Sequence, residues 1–150
     1  MKHTNPVRAT QVISRWMMPA LAAAVLLFTL PVAQAGDKQA VIMQISENDP
    51  LAWNLALNIA KNLPQELGKD NVEVEIVAFG PGLAMFKAES EVDKRLTEAA
   101  QAGVALRACG RTMKAQKLSQ TDLHPGVGVV PGGVVEIIAK TREGWTYLRP

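Results

Sequence analysis

Residues 104–118, VALRACGRTMKAQKL, hold the only cysteine of the 150-residue chain, Cys109. Val104, Leu106 and Ala108 alternate with their neighbours as the inward side of a strand does. Gly110 breaks the run, and Thr112-Met-Lys-Ala-Gln-Lys starts a short helix. Cys109 is therefore predicted at a strand-to-helix junction. In an open α/β sheet, the carboxyl ends of the strands border the crevice where ligands and reactive groups collect. Helix amides and the positive end of the helix dipole would face the sulfur. Arg107, Arg111 and Lys114 would add positive charge, and each of these influences favours the thiolate over the thiol. The same spacing also suits a small buried cysteine with no chemical role.

Outward from this stretch, strands alternate with helices. Gln39 to Ser46, QAVIMQIS, is almost continuously apolar, as in a strand buried on both faces. Asn48 or Asp49 can cap the helix that follows, and Pro50 suits its first turn. Leu51, Leu55, Ile59 and Leu63 recur at helical spacing, widened by Ala56, Ala60 and Leu67. Trp53 lies off that stripe and is expected to pack inside the monomer. Pro64 should kink or restart the helix, and Gly68 should stop it. Val72 to Phe79 is a second strand, closed by the turn Gly80-Pro81-Gly82. A short apolar helix over Leu83 to Ala88 and an amphipathic one from Val92 to near Gly103 come next. After the Cys109 stretch, Val127 to Val130 is a fourth strand and Pro131-Gly132-Gly133 leads into a helix over Val134 to Lys140. In that helix Val134, Ile137 and Ile138 share one side. Trp145 to Leu148 is the last strand.

This order implies a parallel sheet with right-handed crossovers and helices on both faces. The carboxyl ends of the first three strands carry Ser46-Glu47-Asn48, Gly80-Pro81-Gly82 and Cys109-Gly110. If those strands are neighbours, the three loops form one pocket wall.

The first thirty-five residues differ from the rest. Lys2, Arg8 and Arg15 precede the apolar core Ala20 to Val32, and Ala33-Gln34-Ala35 is a small-x-small cleavage pattern. This predicts a secretory signal removed after Ala35 and a periplasmic mature domain over 36–150. The apolar run is shorter than the about 20 residues that span a bilayer. No membrane association is expected once it is gone. The full chain carries a formal charge of +2 from 16 basic and 14 acidic residues; removing three basic residues leaves 13 against 14, or −1. Without a basic excess, a nucleic-acid partner is not expected. One cysteine rules out an internal disulfide and leaves a free thiol, an intermolecular bridge or a cargo-bearing thiol.

Several of these segments together resemble the DsrE/DsrF-like family of small sulfur-handling proteins. They are NDPLAWNLALNIAKNL from Asn48, VAFGPGL from Val77, RACGRTM from Arg107, and GVGVVPGGVVEIIAKTREGWTYLRP from Gly126. The resemblance covers essentially all of residues 36–150. It implies a three-layer α/β/α fold with a five-stranded, mainly parallel sheet. It also implies assembly as homo-oligomers, often trimers or hexamers, or with sister subunits. In the sulfur-relay members a cysteine takes up sulfane sulfur as a persulfide and hands it on, and that role falls here on Cys109. The supporting residues are then Arg107, Gly110, Arg111, Thr112, Gly80, Gly82 and Asn48. The export signal departs from the family pattern, because the well-understood relays are cytoplasmic.

Persulfide chemistry needs a thiol of low pKa, access for a partner's sulfur, and amides to hold negative charge. It calls for no metal and no organic cofactor, and the donor or acceptor is expected to be a protein. The competing reading is a non-catalytic periplasmic oligomer: a thiol redox sensor, or a small-ligand or Cu(I) binder. Cys109, Met113 and His124 would supply thiolate, thioether and imidazole to Cu(I). His124, before Pro125, is expected to face solvent, and no acidic orienter supports a Cys109–His124 hydrolase dyad. G-x-S-x-G, phosphate-loop and G-x-G-x-x-G motifs are all missing.

Overall fold

The run QAVIMQI forms β1 (Gln39–Ile45) in the computed structural model, which describes residues 38–150. The predicted signal segment and its cleavage point lie outside the described residues. Asp49 caps α1 (Pro50–Leu67), its Oδ1 accepting from the Leu51 N–H at 2.9 Å. Gly68, at φ 90°, ends the helix in a backbone conformation that suits glycine. β2 (Val72–Ala78), α2 (Asp93–Gln101), β3 (Ala105–Cys109), α3 (Gly110–Ala115), β4 (Val127–Val130), α4 (Gly133–Arg142) and β5 (Thr146–Leu148) follow. All five strands are parallel, in the spatial order β4-β3-β2-β1-β5. The fold is a three-layer α/β/α sandwich, as the alternation of elements predicts.

The two faces of the sheet are covered unequally. Side chains alternate across a strand, so Met43, Ile45, Ile76, Ala78, Leu106 and Ala108 share one face. There they join Trp53, Ala56, Leu57, Ala60, Leu83, Phe86, Leu96 and Met113 in the main core. The other face has a small cluster of Ile42, Val77 and Ile137, edged by Phe79 and Trp145, with α4 across it. Among the described residues, no helix is long and apolar enough to cross a membrane.

Several sequence expectations are corrected here. Leu51 and Leu55 do not lead the buried stripe of α1; they are 80% and 47% exposed, while Trp53, Ala56, Leu57 and Ala60 are buried. The helix carries two overlapping apolar stripes. Packing favours the one holding the large indole, whose Nε1 donates to the Glu47 carbonyl at 3.0 Å. Of the two outcomes expected at Pro64, a restart does not occur, since α1 runs on unbroken to Leu67. The segment expected as a helix over Leu83 to Ala88 is a 3-10 turn over Gly80–Phe86. Gly82 explains its tightness: a Cβ there would stand 2.4 Å from the Ile45 carbonyl oxygen. In α4, Ile137 is buried but Val134 and Ile138 are 53% and 46% exposed.

His124 is not solvent-facing. It is 5% exposed, its Nε2 lies 2.9 Å from Thr97 Oγ1, and its Nδ1 accepts from the Gly126 N–H at 3.0 Å. Because Nδ1 accepts, the ring proton of the neutral form belongs on Nε2, toward Thr97 and the Asp93 carboxylate at 3.6 Å. The loop is therefore pinned to α2 by its own imidazole.

Candidate functional site

Cys109 is the last residue of β3, and α3 begins at the next residue. Its side chain lies on the thinly covered face of the sheet, opposite Ala108 and the main core. It is only 5% exposed, yet it borders a pocket of about 230 Å³ with Phe79, Arg111, Thr112, Gly132, Gly133 and Val134. Burial pushes the thiol pKa up. The N–H of Gly133, the hydroxyl and N–H of Thr112 and the N–H of Arg111 outweigh that, leaving the pKa below the ordinary thiol value. These donors belong to the starts of two helices, α3 and α4. Charge plays a smaller part than the sequence suggested, because the groups that lower the pKa are neutral donors.

Thr112 links the sulfur to its surroundings. Its Oγ1 accepts from the Gly80 N–H at 3.0 Å. One lone pair is thereby occupied and the hydroxyl hydrogen is left for the sulfur. Gln116 Nε2 donates to the Gly80 carbonyl at 3.1 Å, so the turn after β2 is tied to α3 at both backbone groups.

Of the residues the sequence grouped around Cys109, Arg111 and Thr112 line the pocket. Gly110 packs on the end of β4, where a Cβ would be 3.1 Å from the Val130 carbonyl oxygen. Gly80 acts through Thr112, and Gly82 is pressed on the backbone of β1, so neither faces the sulfur. Asn48 is exposed and does not line the pocket. The strand order gives the reason. β2 separates β1 from β3, so the loop after β1 starts two strand spacings, roughly 10 Å, from Cys109. Arg107 points to the same face as Cys109 but sits lower on the strand. Its Nη1 lies over Gly128, and its charge acts on Glu75.

Sequence reading missed the loop after β4. Because β4 is the other neighbour of β3, Gly132 and Gly133 complete the pocket wall, with Val134 and Val135 beyond them. The signal was present as two glycines ahead of a helix, but only the strand order gives it meaning. Gly133 also allows a close approach, since a Cβ there would stand 3.0 Å from Phe79 Cδ1. The Cu(I) donor set is not assembled: Met113 is in the main core, His124 is held against α2, and neither lines the Cys109 pocket.

The chain is thus an all-parallel α/β/α domain with one thiol at the carboxyl end of an inner strand. The chain belongs to the DsrE/DsrF-like family, whose profile matches residues 39–150. A solved protein of unknown function, MTH1491 from Methanobacterium thermoautotrophicum, is 33% identical. The match covers 75% of this chain and 99% of that one, with a TM-score of 0.71. The ychN protein from E. coli (15% identity, 77% and 100% coverage, TM-score 0.60) shares the fold. So does BT1422 from Bacteroides thetaiotaomicron (13%, 75% and 95%, TM-score 0.56). No curated protein matches the chain. The family supports a fold related to sulfur relay.

Proposed function

We propose that the protein is a sulfur carrier that holds a persulfide on Cys109. The observation that carries this reading is the convergence of neutral donors from two helix starts on one thiol beside a pocket. In the reaction, the Cys109 thiolate attacks the outer sulfur of a donor persulfide or polysulfide. The donor's S–S bond breaks, a new S–S bond forms at Cys109, and the donor leaves as a thiolate that takes up a proton. The acceptor's thiolate then attacks the outer sulfur of Cys109-S-SH and releases Cys109 as the thiolate. The two steps involve no net redox change. The same amides that favour the thiolate suit the persulfide anion.

Arg111, exposed at the mouth, supplies a positive charge for an incoming sulfur anion. A self-association face lies next to the pocket. Val134, Val135 and Ile138 of α4 are 53%, 60% and 46% exposed, and Val129 is 44% exposed. An exposed apolar patch of this kind suits an oligomer contact, as expected of trimers or hexamers. The basic start, apolar core and Ala33-Gln34-Ala35 ending support export and a periplasmic site of action.

Mass spectrometry of protein treated with polysulfide tests the carrier reading. Wild type should gain one sulfur atom on Cys109, removable by a thiol reductant, and Cys109→Ser should gain none. Wild type left unmodified under donor excess refutes it. The amino-terminal residue of protein recovered from the periplasmic fraction tests export, with Gly36 expected.

A further inference from the structure

A second cleft lies on the other side of the sheet from Cys109. It holds about 400 Å³ between α1 and α2, with Val104, at the opposite end of the β3 stretch from Cys109, in its floor. It lies on the α1/α2 side of the sheet, whereas Cys109 faces α4. Small side chains make it. Ala60 on α1 and Ala99 on α2 line it where larger residues would close the gap, because close-packed helices fill such space. Leu57 and Pro64 make the rest of the wall apolar.

The rim is positively charged. Lys61, Lys69 and Arg95 stand around the mouth with one carboxylate, Glu98. Among the described residues, neither lysine pairs with an acidic side chain within 4.0 Å. The Arg95 guanidinium is held by neutral acceptors, Asn54 Oδ1 and Asn58 Oδ1, the latter at 2.7 Å. It is thus fixed in place with its charge uncompensated.

The geometry points to a binding site for an amphipathic organic anion, with an aliphatic body between Ala60 and Ala99 and a carboxylate-type head at Lys61 and Lys69. The volume falls within the roughly 300–1,000 Å³ of small-molecule sites, and an apolar wall with a few charges at one side is their usual lining. The charge excess selects the sign of the head group. This site is independent of the sulfur chemistry.

Calorimetric titration of the full-length protein with decanoate, below the concentration at which decanoate self-associates, tests the site. Saturable one-to-one binding is expected, unchanged by Cys109→Ser. The double variant Lys61→Glu, Lys69→Glu, both at exposed positions that leave the core alone, should weaken it by about tenfold or more. Ala99→Leu should abolish it by filling the cleft. Three results overturn the proposal: decyltrimethylammonium binding as well as decanoate, affinity unmoved by the charge reversal, or Ala99→Leu turning the protein into a smaller assembly. The last would make the cleft a contact between copies of this chain.

Discussion

Replacing Thr112 by valine keeps the side-chain shape and removes one oxygen. Two consequences follow from its position. The first is chemical: the thiolate of Cys109 loses a hydroxyl donor. Hydrogen bonds to charged groups contribute about 1.5–3 kcal/mol. Sulfur is a weak acceptor, so the lower end applies. At about 1.4 kcal/mol per decade, that is on the order of a tenfold loss of thiolate at any pH below both midpoints. The second is structural: the Gly80 N–H loses the acceptor now 3.0 Å away. That group is only partly buried, so the cost belongs near the bottom of the about 1–3 kcal/mol range for an orphaned donor. The assay benefits from the composition, because Cys109 is the only thiol. The rate of iodoacetamide alkylation against pH reports it alone. In Thr112→Val the midpoint should move up, and the rate at pH values below both midpoints should fall about tenfold. Thr112→Ser, which keeps both hydrogen bonds, should follow wild type.

A thiol pKa lowered by folding contributes stability above the unfolded value, about 8.5. That contribution is lost as pH falls through the lower folded value. The gap in urea midpoint between wild type and Thr112→Val should therefore widen as pH rises through this window. Coincident alkylation profiles for wild type and Thr112→Val would remove the hydroxyl from the account and leave the N–H groups of Gly133, Thr112 and Arg111 as the donors to the sulfur.

Glu75 offers a test of the opposite sign. It is 4% exposed, its Oε1 has no hydrogen-bond partner among the described residues, and burial followed by the nearby Glu136 raises its pKa. Stability should fall as pH rises from the unfolded carboxyl value, about 4.3, to the folded one. Glu75→Gln should flatten that slope and be the more stable form at neutral pH; parallel urea-unfolding curves from pH 4 to 8 would contradict this. Gly82→Ala places a Cβ 2.4 Å from the Ile45 carbonyl oxygen. Since backbone cannot step aside as a side chain can, we expect a loss of about 3 kcal/mol or more, read as a lower urea midpoint at an unchanged slope. The double variant Val135→Glu, Ile138→Glu should yield a smaller species in light scattering if α4 carries the self-association face, and an unchanged mass would remove α4 from it. Each of these positions is exposed, so folding should survive.

The strands and helices were legible because their signals are local. Val127 to Val130 reads as a strand and Gly68 as a stop from their own neighbours alone, and both hold. Cys109 at the strand end was legible for the same reason. The buried face of α1 was not, since its sequence offers two stripes and only contact with the sheet and α2 chooses between them. His124 was misread because the partners that bury it, Thr97 and Asp93, lie 27 and 31 positions earlier in the chain.

Sequence by itself determined the order of elements, the lone thiol and its place at the start of a helix, because periodicity and turn chemistry act over a few residues. Only the tertiary structure decided what surrounds the sulfur. Parallel pairing joins strands distant along the chain, and the order β4-β3-β2-β1-β5 sets the loop at Gly132 and Gly133 beside Cys109 and leaves Asn48 two strands away. Adjacency in a parallel sheet follows from how the crossovers pack on its faces, which no single stretch of the chain encodes.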